Sequence, residues 1–222
     1  RSSFSNDSPV THQVLVNDRR AKQTRGKLGA FATTEYDLGH AEDAAGLSLD
    51  HPWEECRGIG TSFGYNRNED LSNYSSSEEL VHILIDKVAR GGNLLLNVGP
   101  TADGRIPVIM QQRLQDIGDW MAVNGEAIYG TRKWKGAPKV TAETKTYFTA
   151  KGKDLYVLST EFPAEPLKIE GVNPVGKVSL LGSDFEVDFS QSGKAIRIDV
   201  PAITPANNPG DHAWVFKLEG AL

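Results

Sequence analysis

The hydrophobic period of this chain changes once, near residue 134, and that change limits the fold more than anything else in the sequence. Before it, short apolar runs alternate with stretches of helical period; after it, only short strand-like runs follow. Apolar strands separated by helices read as parallel βα units. Strands that alternate apolar and polar residues read as an antiparallel sheet with one dry face. The segment Trp134-Lys135-Gly136-Ala137-Pro138 is the expected hinge, dividing the 222 residues into 1–134 and 135–222.

In the first part, Val14-Leu15-Val16 is a compact apolar run with Asn17, Asp18 and Arg19 just past its carboxyl end. Residues 30–36 and 53–60 are the next strand candidates, and 61–77 is a loop rich in Asn, Ser and Gly. Ser75 and Ser76 each precede a Glu by three positions, the spacing of a capping box. Leu80, Ile83, Leu84, Lys87 and Val88 then recur at helical spacing until Gly91-Gly92. Residues 93–98 are a further strand candidate, and Met110, Leu114, Ile117 and Met121 mark a second helix over 107–123. A complete eight-stranded βα barrel needs about 250 residues, so these strands supply about half of one. In the second part, residues 145–149 and 155–160 flank a Gly-containing turn and predict a hairpin. Strands are also expected at 167–170, 178–181, 185–189, 195–200 and 213–218. The expected fold class is α/β: the C-terminal half of a (β/α)8-like barrel, then an antiparallel β-sandwich.

Charge and composition exclude several functions. Twenty-four Lys and Arg against 29 Asp and Glu leave a net charge of −5, which argues against nucleic acid as a partner, since phosphate contacts need clustered positive charge. No apolar run approaches the roughly 20 residues of a membrane-spanning helix, so no membrane partner is expected. The single cysteine, Cys56, excludes an internal disulfide and a four-Cys zinc site, and the five histidines show no metal-ligand spacing. No cofactor and no metal are expected.

In a βα barrel the chemistry sits at the carboxyl ends of the strands. That rule selects Asp18, Arg19, Glu35, Arg57 and Asn97. Glu35 lies among Phe31, Thr33, Thr34 and Tyr36. A carboxyl group in partly apolar surroundings has its neutral form favoured, as a general acid requires; the alternative is a surface acid. Arg19 offers a planar fork of donors for a sugar hydroxyl or carboxylate, or for a structural ion pair. Trp53, Phe63 and Tyr65 either stack on the apolar face of a sugar or pack in the core. Cys56, beside Glu54 and Glu55, reads as a small buried apolar residue rather than a reactive thiolate.

The segments VLVNDRR (14–20), FATTEYD (31–37), PWEEC (52–56), GIGTSFGYNRNED (58–70), GGNLLLNVGPTADGRIP (91–107) and WMAVNGEAIYGTRKW (120–134) occur in one order. Together they closely resemble the retaining α-L-fucosidases of glycoside hydrolase family 29. The resemblance covers about residues 10 to 134 and extends more loosely to that family's C-terminal β-sandwich. It implies a two-carboxylate double displacement on terminal α-L-fucose of an oligosaccharide or glycoconjugate. Carried over by motif, Glu35 of TTEYD matches the acid/base, Arg19 of NDRR a sugar-contacting arginine, and Phe63 of TSFGY the wall near the fucose methyl. Trp53 and Glu54 match a recurrent Trp-Glu pair at the rim.

The sequence departs from the family at Arg20, where Trp is usual, and at Pro52, where Lys is usual. No segment resembles the strand that carries the family's nucleophilic Asp. The expectation is therefore a C-terminal portion of the enzyme, inactive alone, whose partner is the missing N-terminal half of the barrel. The rival expectation is a non-catalytic carbohydrate-binding or assembly module.

Overall fold

A computed structural model describes residue 18 and residues 31–36, 52–136, 139–141 and 144–222. The expected strand at 14–16, Arg19 and Arg20 lie outside the described residues. In chain order the elements are β1 (Ala32–Glu35), β2 (Trp53–Gly58), α1 (Ser77–Ala89), β3 (Asn93–Asn97), α2 (Val108–Asn124), β4 (Arg132–Lys133), β5 (Val140–Thr141), β6 (Thr146–Lys151), β7 (Asp154–Ser159), β8 (Leu167–Glu170), β9 (Lys177–Leu180), β10 (Phe189–Ser192), β11 (Ala195–Ile198) and β12 (Trp214–Glu219).

The first three strands form a parallel sheet in the order β1-β2-β3. Helix α1 starts where the sequence signals it. Ser76 Oγ accepts the Glu79 amide at 3.0 Å, and Glu79 Oε2 accepts the Ser76 amide at 2.8 Å, so two otherwise orphaned donors are satisfied together. It ends at Gly91, whose φ of 88° is a left-handed stop that glycine adopts without strain. Helix α2 differs from its expected apolar stripe. Met110 and Trp120 are buried, whereas Leu114 is 37% exposed, because that turn meets the start of α1 through Arg113 and Asp116, which bond Ser75 and Ser77. Leu80, Ile59 and Met110 form the core between the helices and the parallel sheet.

Beyond residue 130 every strand pairing is antiparallel. One sheet runs β4-β6-β7-β12-β9 and the other β10-β11-β8-β5. Leu155, Val157, Phe216 and Leu218 of the first sheet meet Leu167, Ile169, Ile196 and Ile198 of the second in a dry core. The opposite face of the first sheet is not wet. Tyr156, Leu158 and Val215 pack on Val81 and Ile85 of α1 and Trp120 of α2. This double burial explains why β7 is buried at five consecutive positions instead of alternating. The expected hairpin across 150–154 is present as β6 and β7.

One strand expectation is corrected here. Residues 185–188 are not a strand, although Phe185 and Val187 still reach the core; the strand lies later, at β10, in a hairpin with β11 through Gly193 (φ 58°). Phe185 and Val187 point into the core, but ladder pairing with β11 starts only at Asp188, whose carbonyl accepts the Asp199 amide at 2.8 Å, next to the Phe189–Ile198 pair. The parallel strands are three strands of an open sheet, with no closed barrel among the described residues.

Candidate functional site

Strand alternation splits the parallel sheet into two faces. In register, Glu35 stands beside Cys56, and Cys56 beside Leu95. Neighbours in a parallel sheet share a face, so Thr33, Glu35, Glu54, Cys56, Asn93, Leu95 and Asn97 lie on one side. This side is lightly covered: Leu95 is 49% exposed, and Glu35, Cys56 and Asn97 are half-buried. Cys56 is thus not the buried residue expected, because the face it occupies is open.

The other face, toward the helices, is closed. Glu55 on it is fully buried, with Oε2 3.2 Å from Lys87 Nζ of α1 and Oε1 3.3 Å from Arg57 Nη1. Asp86 Oδ2 lies 3.0 Å from the same Lys87 nitrogen. A carboxylate out of water is tolerable only with such partners.

The carboxyl ends of β1 and β2 converge on Tyr36. Its hydroxyl accepts the Gly58 amide at 2.8 Å and donates to the Gly60 carbonyl at 3.1 Å. The Tyr36 ring lies 5.2 Å from the Phe63 ring, and the Arg57 guanidinium sits 5.3 Å from its centre. A cavity of about 200 Å³ opens between Tyr36, Arg57, Gly60, Thr61, Asn73 and Ser75.

The loop that carries Phe63 is pinned at several points. Glu69 Oε1 accepts from Thr61 Oγ1 at 2.8 Å and from the Ser62 amide at 2.7 Å. Burial works against the ionised Glu69 carboxylate, but these hydrogen bonds outweigh it and hold its pKa below the ordinary value. Asn97 Nδ2 at the end of β3 donates to the Phe63 carbonyl at 2.6 Å. Gly99 leaves room for the loop backbone, since a Cβ there would fall 2.7 Å from Gly64 C and Tyr65 N. Phe63 and Tyr65 remain 38% and 44% exposed.

Among the expected site residues, Glu35 and Phe63 are thus gathered at one end of the sheet, joined through Tyr36. Arg19 lies outside the described residues. Its neighbour Asp18 is buried, and its Oδ1 accepts the Thr33 amide at 3.0 Å. Trp53 is not at this end. It opens β2, opposite Ala32, with 2% of its surface exposed. Its ring occupies the space over Gly92, where an added Cβ would fall 2.5 Å from three ring carbons. Trp53 is therefore core packing in this structure, the second of its two sequence readings. Gly92→Ala is expected to destabilise the chain by about 1–3 kcal/mol, read as a lower urea unfolding midpoint. Tyr36 is the residue that sequence reasoning passed over; Gly58 is the trace of its approach, because a Cβ there would fall 2.7 Å from its hydroxyl.

With this geometry in place, comparison with known proteins gives a consistent result. The family model described as "Alpha-L-fucosidase" matches residues 2–126, and that of the "Alpha-L-fucosidase C-terminal domain" matches 139–219. The chain belongs to the alpha-L-fucosidase family. It is 34% identical to an alpha-L-fucosidase of Branchiostoma floridae, covering 98% of this chain and 48% of that protein. Human tissue alpha-L-fucosidase is 34% identical over 97% of this chain and 46% of its own length. The crystal structure of Thermotoga maritima alpha-fucosidase in complex with fucose matches with a TM-score of 0.71 and 32% identity, over 94% of this chain and 46% of that one. The chain thus spans about half the length of the alpha-L-fucosidases it matches.

Proposed function

We propose that this chain is the C-terminal part of a retaining α-L-fucosidase, with residues 1–134 completing a (β/α)8-like barrel and 135–222 forming its β-sandwich. The observation that carries this reading is the position of Glu35. It ends a parallel strand on the open face of the sheet, next to a loop that holds Phe63.

Glu35 protonates the glycosidic oxygen as the bond to C1 breaks, then takes a proton from the water that resolves the glycosyl-enzyme. The carboxylate that attacks C1 comes from the N-terminal half of the barrel, about 5–5.5 Å from Glu35 as retention requires. Phe63 packs on the methyl group of the 6-deoxy sugar, and Arg19 binds its hydroxyls. The half-exposed Leu95 and the outer edge of β3 receive the strands of that N-terminal half, which supplies the rest of the sheet. Substrates are fucosylated oligosaccharides or glycoconjugates.

The test is complementation. The isolated chain is expected to leave a nitrophenyl fucoside intact, and co-expression with an N-terminal barrel half is expected to produce hydrolysis with retained configuration. Hydrolysis by the isolated chain would show that it holds its own nucleophile. Binding of fucosylated glycans without hydrolysis in the assembled protein would favour a carbohydrate-binding module instead.

A further inference from the structure

We infer that Tyr36 is a positioning residue for Glu35, locking the end of β1 against β2 so that the carboxyl group is presented at a fixed angle to the glycosidic oxygen. The inference rests on the acid/base reading of Glu35 given above and adds to it the device that aims the group.

Tyr36 has φ of 54°, one of two non-glycine residues among those described with positive φ. Residues with a Cβ enter this region only against a steric penalty, so the surroundings must hold it there. They do so from three sides. The hydroxyl is both acceptor and donor, to the Gly58 amide and the Gly60 carbonyl. The Phe63 ring tilts against one part of the ring, and the Arg57 guanidinium sits over its face.

The consequence for Glu35 follows from its place in the chain. On its amino side it is held in register with Cys56 of β2. On its carboxyl side the very next residue is tied by its side chain to the end of that same strand. Both flanks of Glu35 are thus fixed to β2. The Tyr36 hydroxyl is spent on the Gly58 amide and the Gly60 carbonyl, so the clamp acts on the backbone beside Glu35 and leaves its carboxyl group to the substrate. Through Phe63, the same ring links the acid/base to the wall of the sugar pocket. General acid catalysis is sensitive to small displacements of the donor, because the proton must be within hydrogen-bond reach as the bond breaks.

Leaving-group chemistry separates positioning from mere support. A fucoside with an activated leaving group, such as dinitrophenolate, needs no proton for the first step, whereas a poor leaving group does. In the assembled enzyme, Tyr36→Phe keeps the ring and removes both hydroxyl hydrogen bonds. It is expected to lower kcat/KM about 10–100-fold on a poor leaving group and less than about 3-fold on the activated one. Hydrogen exchange at the Gly58 amide is expected to accelerate in parallel. An equal loss on both substrates, or no loss on either, overturns the positioning role provided that Glu35→Ala itself shows the contrast. If Glu35→Ala shows none, or if the unaltered assembly is inactive, the acid/base reading fails first and takes this inference with it.

Discussion

Replacing Glu35 by alanine in the assembled enzyme is expected to lower kcat/KM by about 10²–10⁴-fold on fucosides with poor leaving groups, the range spanned by a lost general acid. With dinitrophenyl fucoside kcat/KM should barely change, since that leaving group departs unaided. Its kcat should nevertheless fall, because water attack on the glycosyl-enzyme loses its base and the intermediate accumulates. Azide needs no base, so it should restore turnover and yield fucosyl azide of retained configuration. The pattern is specific to a residue that serves both steps. A uniform drop on all substrates, without azide rescue, would remove Glu35 from the acid/base role and leave it as a structural carboxylate.

The second large effect concerns stability. Lys87→Met is expected to destabilise the fold by about 3–5 kcal/mol, the usual result of stripping one partner from a buried ion pair. Lys87 is 4% exposed and its ammonium lies 3.2 Å from the fully buried Glu55. Without it, Glu55 keeps only Arg57, at 3.3 Å, inside a site that water does not reach. The double replacement Lys87→Met with Glu55→Gln should recover most of the loss, because the uncompensated charge is then gone and Arg57 reaches solvent. Urea unfolding midpoints of the two variants test this. A single variant as stable as the parent would mean that Glu55 is hydrated after all.

These two residues show how unevenly the sequence discloses its own structure. Lys87 recurs at apolar helical spacing, which places it on the inner face of α1 although its chemistry argues for the surface. Its partner could not be read in advance, because the register that brings Glu55 of β2 under α1 is a property of the packed sheet. Trp53 shows the converse. Its side chain suits a sugar platform as well as a core, and only its placement over Gly92 at the start of β2 decides for the core. The apolar positions of 185–189 were legible as inward-pointing, but strand pairing depends on a neighbour within hydrogen-bond distance, which the backbone meets only from Asp188 onward.

The Glu35 end of the sheet follows the same division. That Glu35 should end a strand was readable from the apolar run before it. That Phe63 belongs to the same site was legible only through the family resemblance, since the two are 28 positions apart. Tyr36 brings them together through contacts with Gly58, Gly60 and Phe63 that no local pattern records.

Local chemistry was therefore decided by the order of residues alone: the switch of period, the Ser76–Glu79 cap, the Gly91 stop and the motifs that mark the family. Each depends on neighbours within a few positions, where chain geometry leaves little choice. The tertiary structure alone decided which face of β2 is dry, which aromatic is core, and what holds the chain on either side of Glu35. Those outcomes depend on distances between segments far apart in the chain, which only the packed sheet and helices determine.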